Sequence, residues 1–130
     1  MFDPISDNAP MTSALAYQLT SEFIAALRAR DTAQLQQRFA VHAGSLEEID
    51  EELARYALNP MTLRMPGWDI AFTENFCGMA PFDVFERNAP RTWGIECTLY
   101  SDGHPTEARL TAEICDVDGV MQWRYHGLTS

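Results

Sequence analysis

The sequence contains no lysine: all nine of its basic residues are arginine, and they stand against 19 acidic residues. The formal net charge is therefore −10 at pH 7. A chain with this charge repels the phosphates of nucleic acids, and it favours either solubility or a partner that carries positive charge. The use of arginine in place of lysine favours a GC-rich bacterial source. The composition therefore argues against a nucleic-acid-binding protein.

Cysteines are few, and long apolar runs are missing. The three cysteines cannot all pair within the chain, and no two of them have the spacing of metal ligands. No apolar stretch approaches the ~20 residues that cross a bilayer, and no signal peptide is evident. Glycine motifs that hold phosphates are also missing. We therefore expect a cytoplasmic protein that binds neither membrane nor nucleic acid and uses neither metal nor cofactor.

A chain of 130 residues, 46% of them hydrophobic, is long enough to bury one core. Its patterns predict a single domain over residues 1–130. Two prolines and several polar residues predict an irregular lead-in over residues 1–10. A helical part is predicted over residues 11–58 and a sheet over residues 66–129.

Apolar residues at spacings of three and four predict three helices. Asp31 has the side chain of an N-cap for the second helix. The residues Ser-Leu-Glu-Glu at 45–48 form a capping box for the third helix, and Pro60 follows its end. The predicted helices cover residues 12–30, 32–40 and 45–58.

After these helices, two short strands and a three-stranded meander are predicted. The short strands cover residues 68–72 and 82–86. Between Trp93 and Thr129, apolar and polar residues alternate with period two, which is typical of strands with one buried face. Asp118-Gly119 has the chemistry of a two-residue hairpin turn, and a four-residue loop at 102–105 joins the first two long strands.

These turns fix a register for the meander. In that register one face is apolar, and a shift of one residue at either turn would mix the two faces. The predicted cross-strand pairs are Cys97 with Leu110, Thr98 with Arg109, Ala112 with Tyr125, Glu113 with Arg124, and Ile114 with Trp123.

The same register places the charged groups of the meander on the face turned away from the core. A hydrolase or isomerase needs titratable groups that converge in a sheltered place, and this sheet does not supply them. The chain is therefore predicted to lack catalytic residues. The groups on the outer face are Glu96, Glu107, Arg109, Glu113, Arg124 and His126.

The third predicted helix carries five acids and one arginine. Such a run is commonly a solvated face, and acids early in a helix suit its macrodipole. The alternative is an acidic docking surface for a basic partner. The predicted contacts of that surface are Glu47, Glu48, Glu51, Glu52, Asp102 and Asp118.

Helices followed by a curved, mostly antiparallel sheet form an α+β domain. The layout resembles the nuclear transport factor two-like superfamily, whose cystatin-like fold is cone-shaped. The resemblance covers residues 11–129. It rests on residues 19–35, where a helix ends in Arg-Asp and a short helix follows, and on the three long closing strands.

The resemblance implies two kinds of function. Some members, such as ketosteroid isomerase, scytalone dehydratase and polyketide cyclases, are enzymes that hold an Asp or His base and Tyr donors inside the cone. Others are ligand- or protein-binding modules, and several families of bacterial immunity proteins look like this fold. For an enzyme or small-molecule binder, the cavity candidates here are Tyr17, Asp31, Tyr56, Trp123 and Tyr125.

Between these classes, the sequence favours a non-catalytic protein-binding module. Its most concrete form is a bacterial immunity protein that neutralises a cognate toxin through the acidic surface. An isomerase- or dehydratase-like enzyme is the alternative. A third possibility is a self-associating domain, so the chain is expected to be a monomer or a homodimer.

Overall fold

A computed structural model describes residues 12–74 and 78–129. Within these residues three helices come first: α1 (Ser13–Ala29), α2 (Thr32–Phe39) and α3 (Ala43–Arg55). None of the described helices combines the length and apolar character needed to cross a membrane. The predicted lead-in over residues 1–10 and Cys77 lie outside the described residues. The strands are β1 (Leu63–Arg64), β2 (Phe82–Glu86), β3 (Thr92–Ser101), β4 (His104–Val117) and β5 (Val120–Thr129).

The strands form one antiparallel sheet with the order β1-β3-β4-β5, and β2 pairs with β3 beside β1. The sheet curls strongly into a half-barrel. An amphipathic helix and a one-sided sheet bury their apolar faces against each other, which is why the helices lie on the curled sheet. The predicted α+β class is confirmed.

The predicted register of the meander is confirmed at all five of its stated pairs. Two irregularities lie beyond them. One extra residue stands in β5 between Ala112↔Tyr125 and Thr111↔Gly127, so this strand bulges at His126. The predicted loop over residues 102–105 is wrong, because the hairpin closes at a two-residue turn.

The first hairpin of the meander pairs Ser101 with His104, and a second irregularity follows between Thr98 and Tyr100. There the Thr106 hydroxyl donates to the Leu99 carbonyl at 2.8 Å, which satisfies a backbone group that the regular ladder leaves unpaired. The bulge absorbs the residues that the sequence assigned to the loop.

The core lies between α1 and the concave face of the sheet. Phe23, fully buried on α1, stacks on Trp123 of β5 with ring centroids 4.3 Å apart. The Trp123 indole N–H donates to the buried Thr20 hydroxyl at 3.0 Å, and that hydroxyl donates to the Ala16 carbonyl at 2.9 Å. The polar edge of the indole is therefore satisfied inside an apolar core.

The predicted bounds of the third helix are wrong at both ends. α3 begins two residues early, with His42 as an N-cap that makes no side-chain bond. Val41 and Leu46, both buried, occupy the two positions of a hydrophobic staple, which fixes the start of the helix without the capping box. At the other end, Ala57 takes a left-handed conformation (φ 56°) and the Leu58 N–H bonds the Leu53 carbonyl, so α3 ends at Arg55.

The predicted strand over residues 68–72 is wrong, whereas the predicted strand β2 is confirmed. The Ala71 N–H bonds the Gly67 carbonyl at 2.9 Å, so this stretch forms local turns. Trp68 packs edge-on to both Tyr17 and Phe72 with ring centroids 5.1 Å apart. Aromatic packing therefore fixes the position of this turn. The strand prediction failed because residues of this composition occur both in strands and in packed turns.

Candidate functional site

Three of the predicted contact acids form a continuous exposed row on α3. Glu47, Glu48 and Glu51 are all exposed, and their spacing along the helix puts them on adjoining positions of its surface. Among the described residues, none of the three makes an ion pair. We call these three residues the acidic row. Their negative charge is therefore open to solvent and to a partner.

Glu52, the fourth predicted contact on α3, is bonded to β5. One of its carboxylate oxygens accepts a hydrogen bond from the Tyr125 hydroxyl at 2.7 Å, and the other accepts one from the Leu128 N–H at 3.4 Å. Burial raises the pKa of Tyr125, and the hydrogen bond to Glu52 raises it further. Glu52 therefore fastens α3 to β5, and it is not a free member of a docking surface.

A fifth acid of the helix, Asp50, is also engaged. Arg30 forms a bidentate pair with it at 2.8 and 2.9 Å. This pairing, chiefly through its hydrogen bonds, raises the pKa of Arg30. The sequence does not indicate this pair, because the two residues are 20 positions apart and belong to different helices.

The two turn acids do not join the acidic row. Asp102 and Asp118 take left-handed conformations in two hairpin turns, with φ of 52° and 53°. These turns lie at opposite ends of β4, a strand of 14 residues. Measured along the strand at about 3.3 Å per residue, roughly 40 Å separate the two turns. The six predicted acids therefore do not form one surface.

Beside the acidic row, a groove of about 470 Å³ runs between α3 and β5. Glu48 and Glu51 line its helix side together with Arg55, and Arg124 and His126 line its strand side. Tyr125 and Glu52 form part of its wall. The helix side of this open groove therefore carries more acids than basic groups, and its strand side carries Arg124 and His126.

A second groove, of about 490 Å³, follows the same strand toward the hairpin turn. It lies between β5 and α2, and it shares Phe39, Ala40 and Arg124 with the first groove. Its other lining residues are Leu19, Gln37, Arg38, Val120, Met121, Gln122 and Trp123. Together the two grooves follow β5 from Val120 to His126.

The five cavity candidates do not converge. The Tyr17 hydroxyl donates to the Pro66 carbonyl at 2.7 Å, and Asp31 caps α2 by accepting from the Gln34 N–H at 3.2 Å. Trp123 is bonded to Thr20, and Tyr125 is bonded to Glu52. Tyr56 is the C-cap of α3 and is half-buried. Four of the five polar groups are thus satisfied by four different partners.

Two further titratable groups are Cys97, which is buried, and Tyr17, which is half-buried. Burial raises the pKa of Tyr17, with smaller contributions from Cys97 and Asp69. Burial also raises the pKa of the Cys97 thiol to about 12, although Arg109 opposes this. A thiol with this pKa holds its proton at neutral pH, which makes it a poor nucleophile.

On the outer face of the sheet, Arg109 is more buried than its register position indicated. Its side chain is 12% exposed, and it donates to Glu96 at 3.2 Å and to the Thr98 hydroxyl at 2.8 Å. It also donates to the Ala80 carbonyl at 3.2 Å. This arginine therefore ties a loop to the outer face of the sheet.

His126 stands at the bulge of β5, where its Nε2 lies 3.5 Å from Glu113. It is exposed and lines an open groove rather than an enclosed hollow. Within residues 12–74 and 78–129, no cluster of three His, Cys, Asp or Glu side chains has the arrangement of a metal site. Comparisons of the chain with protein-family models, with curated proteins and with solved structures found no match.

Proposed function

We propose that this chain is a non-catalytic protein-binding module that holds a positively charged partner protein on the acidic row of α3. The observation that carries the proposal is the exposure of Glu47, Glu48 and Glu51 without an ion pair among the described residues. Three uncompensated carboxylates on one rigid helix attract a basic surface and speed its encounter.

The most concrete form of this function is neutralisation of a toxin in the cytoplasm of the cell that makes both proteins. In this form the chain is an immunity protein with the nuclear transport factor two-like layout. Two features support a binding role over an enzymatic one. The hydroxyls of Tyr17 and Tyr125 are engaged by separate partners, and α1 and Trp123 fill the concave face of the sheet.

The test compares capture of a partner from a lysate of the source cells by three forms of the chain. These are the wild type, the triple variant E47Q/E48Q/E51Q, and a control triple variant D83N/E86Q/E107Q. The control removes the same charge from three exposed acids on the strands. We expect the wild type and the control to capture the same protein, and the α3 variant to lose it.

The captured protein then decides the toxin hypothesis. Expressed alone it should stop growth, and co-expression of the wild-type chain should restore growth while E47Q/E48Q/E51Q should not. The association rate should also fall as ionic strength rises, because screening weakens steering. Equal capture by all three forms of the chain would refute a role for the acidic row.

A further inference from the structure

The strand β5 is an edge of the sheet whose outer side is open. Among the described strands it pairs with β4 alone, and the order of the sheet ends with it. The two grooves beside α2 and α3 lie along this outer side of β5. Consecutive residues of β5 line both grooves. Val120 to Arg124 line the groove beside α2, and Arg124 to His126 line the groove beside α3. Successive residues of a strand point to opposite faces, so grooves lined by all of them follow the edge of the strand.

The register identifies which backbone groups point into these grooves. Val117 and Val120 flank a two-residue turn and form a hydrogen-bonded pair. Hydrogen-bonded and non-bonded pairs then alternate along an antiparallel ladder. Met121, Trp123 and Tyr125 are therefore the residues whose N–H and C=O groups point away from β4.

The other groups of the molecule agree with this assignment. Asp116, the partner of Met121, donates its N–H on the opposite side, to the Arg91 carbonyl at 3.0 Å. Among the described residues, no backbone or side-chain group bonds the outward N–H and C=O of Met121, Trp123 or Tyr125. Met121 and Tyr125 are half-buried and Trp123 is 2% exposed, so the two grooves are the route to these unsatisfied donors and acceptors.

We propose that this open edge of β5 takes an extended segment of the partner protein as an additional antiparallel strand, held between β5 and the helices α2 and α3. The proposal rests on the proposed function, because it names the part of the partner that binds beside the acidic row. Backbone hydrogen bonds to an exposed edge supply affinity in this mode of recognition, and alternate side chains supply specificity.

The grooves define the chemistry of that segment. Side chains that point inward meet Glu48 and Glu51 beside α3, and these two acids outnumber Arg55 on the same wall, which favours arginine or lysine there. Further along, inward side chains meet Leu19 and Phe39 beside α2, which favours apolar residues. An outward side chain opposite Arg124 is favoured to be acidic, because Arg124 is exposed and has no carboxylate partner among the described residues.

The probe is a capped nine-residue peptide with the order Thr-Arg-Thr-Arg-Glu-Val-Thr-Val-Thr. In antiparallel pairing its central Glu lies opposite Arg124, its Arg residues face α3, and its Val residues face α2. The matched control is Thr-Glu-Thr-Glu-Arg-Val-Thr-Val-Thr, in which every charge is reversed and the strand propensity is kept. Amide hydrogen exchange and binding are followed by NMR on the full chain.

We expect the first peptide to protect the amides of Met121, Trp123 and Tyr125 from exchange, and to bind at least tenfold more tightly than the control. Met121→Pro removes one outward donor without removing a ladder bond, and it should weaken binding at least tenfold. Arg124→Glu should also weaken it, whereas Arg64→Glu on the far strand β1 should not. If Met121→Pro fails to fold, protection of the three amides of the wild-type chain by the first peptide still tests whether the peptide pairs with β5.

Three results would overturn the proposal. One is equal binding of the two peptides, and another is binding without protection of the three amides. The third is concentration-dependent protection of those amides in the chain alone, which would mean that a second copy pairs with the edge. If Met121→Pro folds and captures the partner as the wild type does, while E47Q/E48Q/E51Q does not, the strand model is wrong and the proposed function stands.

Discussion

Glu52 is the acid whose role depends most on its neighbours. In the helical run it is indistinguishable from Glu48 and Glu51, yet its carboxylate bonds both the Tyr125 hydroxyl and the Leu128 N–H. The hydrogen bond from Tyr125 joins two residues 73 positions apart in the chain. A single glutamate thus couples the position of α3 to the edge strand.

This coupling can be measured with a double-mutant cycle. We expect Glu52→Gln and Tyr125→Phe to be non-additive, with a coupling free energy of about 1–2 kcal/mol, because hydrogen bonds to charged groups contribute more than neutral ones. Urea unfolding of the wild type, the two single variants and the double variant at neutral pH gives the value. Additivity within ~0.5 kcal/mol would contradict the role of Glu52 as a fastener.

Cys97 gives the stability a dependence on alkaline pH. Its pKa rises from 9.0 to about 12 on folding because of burial. A group with a raised folded pKa binds its proton more tightly in the folded state, so its contribution is complete below pH 9.0 and is lost as the pH rises toward 12. Over that range the thiol should lower the free energy of unfolding by about 1.4 kcal/mol per pH unit.

The comparison protein for this effect is Cys97→Ala, which lacks the thiol. Unfolding by urea at about pH 7, 9 and 11 under reducing conditions should show a steeper decline for the wild type than for the variant. The tyrosines are common to both proteins, so their titration cancels from the difference. Parallel pH dependences would show that Cys97 does not titrate as its burial indicates.

At the scale of elements, the sheet contains a close approach that the alternation of residues did not indicate. Gly94 of β3 lies opposite Phe85 of the short strand β2. A Cβ built on Gly94 would lie 2.4 Å from two atoms of the Phe85 ring. The Phe85 ring therefore covers Gly94, and it fills a position on the outer face of the sheet that the glycine, having no side chain, leaves bare.

We expect Gly94→Ala to destabilise the protein by about 1–3 kcal/mol, because the phenyl ring has to move from its position over the strand. Phe85 is 37% exposed, so the ring has somewhere to go and the fold should survive. In a Phe85→Ala background the same substitution should cost less, since the ring is gone. Thermal unfolding of the four proteins tests this, and equal costs in both backgrounds would disprove the contact.

At the scale of the whole molecule, the net charge of −10 acts in opposite directions on folding and on binding. Excess negative charge destabilises the compact state through self-repulsion, and it attracts a basic partner from a distance. Salt screens both effects over a Debye length of about 8–10 Å. The free chain and its complex should therefore respond to salt with opposite signs.

We expect the Tm of the free chain to rise when sodium chloride is raised from about 20 to about 500 mM. The same change should slow association with the captured partner. Differential scanning calorimetry and stopped-flow mixing measure the two responses, and E47Q/E48Q/E51Q should show a smaller response in both. A Tm that falls with salt would mean that attractive ion pairs, such as Arg30–Asp50, outweigh the repulsion.

The elements that the sequence predicted well are those with strong periodicity or a strong turn signal. The spacing of apolar residues predicts α1, and the cap at Asp31 predicts α2. The turn at Asp118-Gly119 predicts the pairing of β4 with β5. The strand predicted around Trp68 is wrong, because an apolar aromatic run fits a strand and a packed turn equally well. The two-residue strand β1 was missed, because it is too short to show any period.

For the candidate site, the sequence alone shows that one amphipathic helix of a strongly acidic chain carries a run of acids. Tertiary structure alone decided which of those acids are free. Asp50 is neutralised by Arg30 and Glu52 is tied to β5, and both partners come from distant parts of the chain. Local periodicity fixes the face on which a side chain lies, whereas its partner depends on how separate elements pack.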